Sequence, residues 1–165
     1  NYPADFMPLS IGLHCKTASL RAILHYAAGN GLYATAQAGH TWRSNVAVDR
    51  DSYIYNGELF YTDEAVVPNF LDATFRFGIL KPKFQAEILL DHGTGLTGDD
   101  IRYNDAPFLT NKMQATSAGV WGKYWFGKFA VSAGVSQVLA GRNAGKSTAW
   151  NAGVFYLLKL GGAKS

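Results

Sequence analysis

Between residues 69 and 93 the chain alternates apolar and polar side chains twice in succession, with a tight break at Lys81-Pro82-Lys83. Leu71, Ala73, Phe75, Phe77 and Ile79 are set against Asp72, Thr74, Arg76 and Gly78, and a period of two puts the sets on opposite faces of an extended strand. The next segment repeats the pattern, with Phe84, Ala86, Ile88 and Leu90 against Gln85, Glu87, Leu89 and Asp91. Two such strands across a short break predict a β-hairpin.

The same signature recurs along the chain and predicts eight strands, at about 8–16, 19–28, 31–43, 69–80, 83–92, 112–125, 128–139 and 147–159. In the first, Leu9, Ile11, Leu13 and Cys15 oppose Ser10, Gly12, His14 and Lys16; in the second, Leu20, Ala22, Leu24 and Tyr26 oppose Arg21, Ile23 and His25. Small residues between Met113 and Trp125 blur the faces of the sixth, which predicts a β-bulge near Gly119. The connections alternate as well. Ala28-Gly29-Asn30-Gly31, Lys81-Pro82-Lys83 and Phe126-Gly127-Lys128 are short, whereas 44–68, 93–111 and 140–146 are longer, so short links fall at one end and long ones at the other. The link near Thr17-Ala18 is shorter than this scheme expects.

The even strand count, the apolar alternation, the one-sided loops and the aromatic residues near strand ends (Trp42, Trp121, Tyr124, Trp125, Phe126, Phe129, Tyr156) resemble a bacterial outer-membrane β-barrel. The resemblance is one of pattern over nearly the whole chain and carries no short diagnostic motif. It implies an all-β, antiparallel up-and-down transmembrane β-barrel of about eight strands, with 1–165 as a single domain that is either a complete barrel or a segment of a wider one. It also implies a bacterial outer-membrane location, membrane lipid as a partner, and either porin-like passive passage of small polar solutes or a binding and anchoring role. One departure is the end of the chain, where 159–165 follow Phe155-Tyr156-Leu157-Leu158 in place of a terminal aromatic.

Composition agrees with a surface that water does not fully cover. Charged residues make up 16 % of the chain, below the roughly 25 % usual in soluble domains. The net charge of +3 is scattered, not gathered into a stripe, which argues against nucleic acid as a partner. Cys15 stands alone, so no internal disulfide forms, and it reads as a small apolar side chain. No signal-like leader is visible, so a secreted precursor is expected to have lost one already. No run of about 18 apolar residues is present, which removes a transmembrane helix but leaves short, half-apolar strands untouched.

The strongest alternative is a soluble lipocalin-like barrel with its apolar face turned inward around a ligand. The polar face weighs against it, because it carries mainly Ser, Thr, Gly and Gln with occasional charges, which suits a narrow lumen. Lys16, Arg21, Asp72, Arg76 and Glu87 are the candidate lumen or selectivity residues, expected in pairs or in water because an unpaired buried charge costs several kcal/mol. Tyr53, Tyr55, Phe60 and Tyr61 are candidate loop contacts for a sugar, lipid or protein, with a packed loop cap as the plainer reading.

No catalytic motif is found, and no metal or cofactor site is assigned. Ala140-Gly141-Arg142-Asn143-Ala144-Gly145-Lys146-Ser147 approaches a phosphate-binding P-loop, but its first required Gly is Ala140 and a strand pattern follows it, so a hairpin loop is expected. Barrel enzymes that deacylate lipid A carry a His-x-Ser pair; here His14, His25, His40 and His92 are followed at that spacing by Lys16, Ala27, Trp42 and Thr94. Each His is expected at the lumen or rim. The groups Asp49, Asp51, Asp63, Glu64 and Asp99, Asp100, Asp105 match no calcium loop and are read as solvating charges.

Overall fold

A computed structural model describes residues 14–103 and 106–158. The protein is all-β and antiparallel. The described residues form eleven strands: β1 (Thr17–Ala27), β2 (Leu32–Arg43), β3 (Val46–Ala47), β4 (Tyr53–Tyr55), β5 (Glu58–Phe60), β6 (Glu64–Ala65), β7 (Phe70–Leu80), β8 (Phe84–Gly95), β9 (Gln114–Phe126), β10 (Phe129–Arg142) and β11 (Thr148–Tyr156). Seven of them form one meandering sheet in the order β1-β2-β7-β8-β9-β10-β11. Consecutive long strands are therefore neighbours throughout.

The alternation that predicts the strands also explains their register. Phe75 pairs with Leu90, Phe77 with Ile88 and Ile79 with Ala86, so apolar side chains meet on one face. Asp72 pairs with Gly93 and Gly78 with Glu87 on the other. The short connections lie together at one rim and the long ones at the opposite rim. Gly127 has φ +65° and opens the two-residue turn between Phe126 and Phe129, where the first position must reach the left-handed region.

Seven of the eight expected strands are present among the described residues, and the sheet they form is open at β1 and β11, not closed into the expected barrel. The expected strand 8–16 lies mostly outside the described residues; its described end, His14 to Lys16, is not strand, and φ +56° at His14 turns the backbone out of the extended region. The bulge is not near Gly119, since β9 stays in register with both neighbours there. The register shifts instead in β10 between Val138 and Ala140, opposite Ser117 and Thr116.

The long loops carry the buried hydrophobic cluster. Val46, Val48, Tyr53, Ala65, Val67 and Leu109 form it, with Cys15, Tyr55 and Phe108 packed against it. Within 44–69 two small hairpins nest, β3 with β6 and β4 with β5, the inner one turning at Asn56-Gly57 with both φ values positive. The cap is fastened to the rim through Arg43, whose N–H donates to Asn69 Oδ1 at 2.8 Å and whose guanidinium lies over the Phe70 ring. The P-loop-like stretch is the last three residues of β10, Ala140 to Arg142, and the hairpin connection 143–147 that leads to β11.

Candidate functional site

The sheet distributes exposure in an inverted way. Along β7 and β8 the polar positions Asp72, Thr74, Gln85 and Glu87 are half-buried, while the apolar positions between them are exposed. Leu24 is 76 % exposed, Ile88 54 % and Val154 75 %. Seven strands of this length present an apolar face of roughly 1,300 Å² by strand spacing and rise. The largest patch on a typical soluble monomer is about 300–600 Å². Water is a poor solvent for this face.

The polar face is cross-linked over glycines. Arg21 on β1 reaches past β2 to Asp72 on β7, its Nη2 lying 3.3 Å from both carboxylate oxygens. Asp72 leans over Gly39, where a Cβ would stand 2.7 Å from its Oδ1. Tyr33 on β2 reaches past β7 to β8 in the same way, lying over Gly78. Its hydroxyl donates to Glu87 Oε2 at 2.5 Å and accepts from Gln85 Nε2 at 2.9 Å. Arg76 stands 3.7 Å from the other oxygen of Glu87, a carboxylate only 9 % exposed. Strands two apart are separated by about 9.6 Å, so side chains bridge them only where the middle strand offers no side chain of its own.

Four of the five charged candidates are thus brought together as Arg21–Asp72 and Arg76–Glu87. Lys16 stands apart before β1, its N–H donating to Ser44 Oγ at 2.9 Å. Residues outside the charged candidates extend the network. Thr74 donates to Asp91 at 2.7 Å, His25 Nδ1 lies 2.8 Å from Thr35 Oγ1, and the Lys123 ammonium sits 5.6–5.9 Å from the rings of Trp121, Trp125 and Phe155. A signal for Tyr33 was available, since alternation puts it on the polar face; its meeting with Glu87 needed the register. Trp121 and Trp125 belong to this polar face, whereas Trp42, Tyr124, Phe126, Phe129 and Tyr156 share the apolar one.

The apolar face has borders. At the short-turn end Tyr124 packs on Phe126 and Phe129 on Tyr156, each pair with centroids 4.7 Å apart. Toward the loop end His92 Nδ1 lies 2.8 Å from Thr116 Oγ1, and His40 packs on Trp42 at 4.3 Å. His40 and His92 therefore stand on the apolar face near the loop rim, not in the polar network. Tyr124 and Tyr156 at one end and Trp42 at the other thus flank the apolar face with rings that carry a polar group.

The loop candidates separate. Tyr53 is buried in the cap, stacked on Phe60 with its hydroxyl donating to the Glu64 carbonyl, and Tyr55 meets Phe60 edge-on. Tyr61 is exposed. Asp99 accepts from Thr110 and Asn111, and Asp100 receives two guanidinium hydrogen bonds from Arg142, at 2.5 and 2.6 Å. That hydrogen bonding holds the Asp100 carboxyl below its ordinary value. Asn143 completes the lock by donating to the Lys112 carbonyl at 2.7 Å. Among the described residues no group of three His, Cys, Asp or Glu side chains is placed to hold a metal ion.

No family model, no curated protein and no solved structure matches this chain.

Proposed function

We propose that this chain is the wall of a transmembrane β-barrel in a bacterial outer membrane, its apolar face against lipid and its polar face lining a lumen for small polar solutes. The observation that carries the reading is the inverted exposure of the sheet, with apolar side chains on its more accessible face and charge pairs on the sheltered one. A soluble ligand-binding barrel needs the opposite arrangement, since its apolar side chains line the interior.

The strands suit the task. They run from 9 to 14 residues, and about 9–11 tilted residues cross a bilayer. Two open edges call for at least one more strand to close the wall, because unpaired backbone groups are not tolerated in hydrocarbon. Closed at about eight strands, the interior is filled by its own side chains and serves binding or anchoring; closed wider, it passes solutes past Arg21, Asp72, Arg76 and Glu87. Electrophoretic mobility in detergent, with and without boiling, tests the reading. A heat-dependent shift together with precipitation on detergent removal is expected, and a monodisperse protein without detergent would overturn it. Conductance across a planar bilayer then separates the wide closure from the narrow one.

A further inference from the structure

The rim formed by the short connections differs in charge from the opposite one. Its turns carry Lys81, Lys83 and Lys128 and, among the described residues, no Asp or Glu. The loop rim mixes both signs, as in Asp49-Arg50-Asp51 and the Asp100–Arg142 pair. Backbone hydrogen bonds join the three turns into one continuous edge: Leu80 N–H donates to Gly31, Trp125 N–H to Lys83 and Leu157 N–H to Lys128. Lys81 Nζ donates to the Asn30 carbonyl at 2.6 Å, which holds its ammonium at that edge with further protons to give. All three lysines are exposed. Directly below them on the apolar face lie the exposed rings of Tyr26, Phe84, Tyr124, Phe126, Phe129 and Tyr156.

Resting on the membrane-wall reading above, we infer that this rim is a binding surface for anionic phospholipid headgroups. Rings seated at the lipid–water boundary place the turns at headgroup height. There an ammonium meets lipid phosphate in a medium that screens less than bulk water, and a cation near an anionic bilayer gains about 1 kcal/mol, or roughly fivefold in binding. Three such groups, in turns that hold no Asp or Glu among the described residues, select charge, whereas the rings below them accept any acyl chain.

The test is lipid selectivity at the protein surface. The chain is reconstituted into phosphatidylcholine bilayers with trace spin-labelled phosphatidylglycerol or spin-labelled phosphatidylcholine, and the motionally restricted fraction of each is read by electron spin resonance. A preference of roughly two- to fivefold for the anionic label is expected at low salt, falling toward one in about 1 M salt, where the screening length is near 3 Å. The K81Q/K83Q/K128Q variant should lose the preference and the K81R/K83R/K128R variant should keep it. Equal restriction of both labels by the unaltered protein would overturn the inference while leaving the membrane wall intact. Absence of any restricted lipid would overturn both.

Discussion

Tyr33 and Glu87 sit on strands that are not neighbours, yet the Tyr33 hydroxyl donates to the Glu87 carboxylate at 2.5 Å across Gly78. The contact exists because β7 presents no side chain at the crossing point. A Cβ on Gly78 would stand 2.8 Å from the tyrosine ring and 2.5 Å from the Ala86 carbonyl. Gly78→Ala should therefore lower stability by about 1–3 kcal/mol through overpacking, read as a shift in the urea midpoint of the folded protein in detergent. A midpoint unchanged by the substitution would mean that the ring does not cross here.

Removing the hydroxyl should isolate the polar half of the same contact. Tyr33→Phe keeps the ring over Gly78 but takes a donor from a sheltered carboxylate, and a hydrogen bond to a charged group contributes about 1.5–3 kcal/mol. The loss should be smaller when Glu87 is already Gln. A double-mutant cycle in the same denaturation assay measures that coupling.

The Arg21–Asp72 pair should be weaker. Its side chains are 52 % and 24 % exposed, so solvent screens it and the coupling should be about 0.5–1 kcal/mol. A cycle of Arg21→Met and Asp72→Asn provides the measurement; a coupling near zero at every salt concentration would show that the pair only fills space.

The two faces should respond oppositely to charge. On the membrane-wall proposal, Val120→Lys on the apolar face should cost about 2–4 kcal/mol, seen as failure to insert into phosphatidylcholine vesicles. Gln37→Lys, on the polar face between Ile23 and Thr74, should insert normally. Reversal of the two outcomes would favour an inward-facing apolar side.

The Asp100–Arg142 lock predicts an acid-labile loop. A carboxyl depressed in the folded protein stabilises it above the pKa of the unfolded chain, near 3.8, and that contribution fades as pH falls through the lower folded value. Asp100→Asn should accordingly have a lower thermal midpoint than the unaltered protein at pH 6, with the gap closing below pH 3.8. A gap independent of pH would mean the lock contributes through shape and not charge.

Much of this was legible in the chain. Strands 31–43, 69–80 and 128–139 fall within a few residues of β2, β7 and β10, because alternation over ten or more residues is a local property that places each side chain on a face. The alternation of short and long connections was equally plain, since antiparallel neighbours joined in sequence must place their turns at alternating ends. β8 runs on to Gly95, three residues past the expected end at His92, because its pairing with β7 and β9 carries Gly93 and Gly95 into the ladder despite their lack of side chains.

What only the tertiary structure decided depends on distance across the sheet. Arg21 and Asp72 are fifty-one residues apart, and nothing in either strand alone specifies that Gly39 will lie between them. The cap was hidden for a related reason: Val46, Val48, Val67 and Leu109 come from segments too short to show a period, and they form a core only when the loops meet over the rim. Sequence by itself determined which face each strand residue takes, since that is set by neighbours one and two positions away. Which side chains meet on that face was decided by register and by the approach of second-neighbour strands, and both are properties of the assembled sheet.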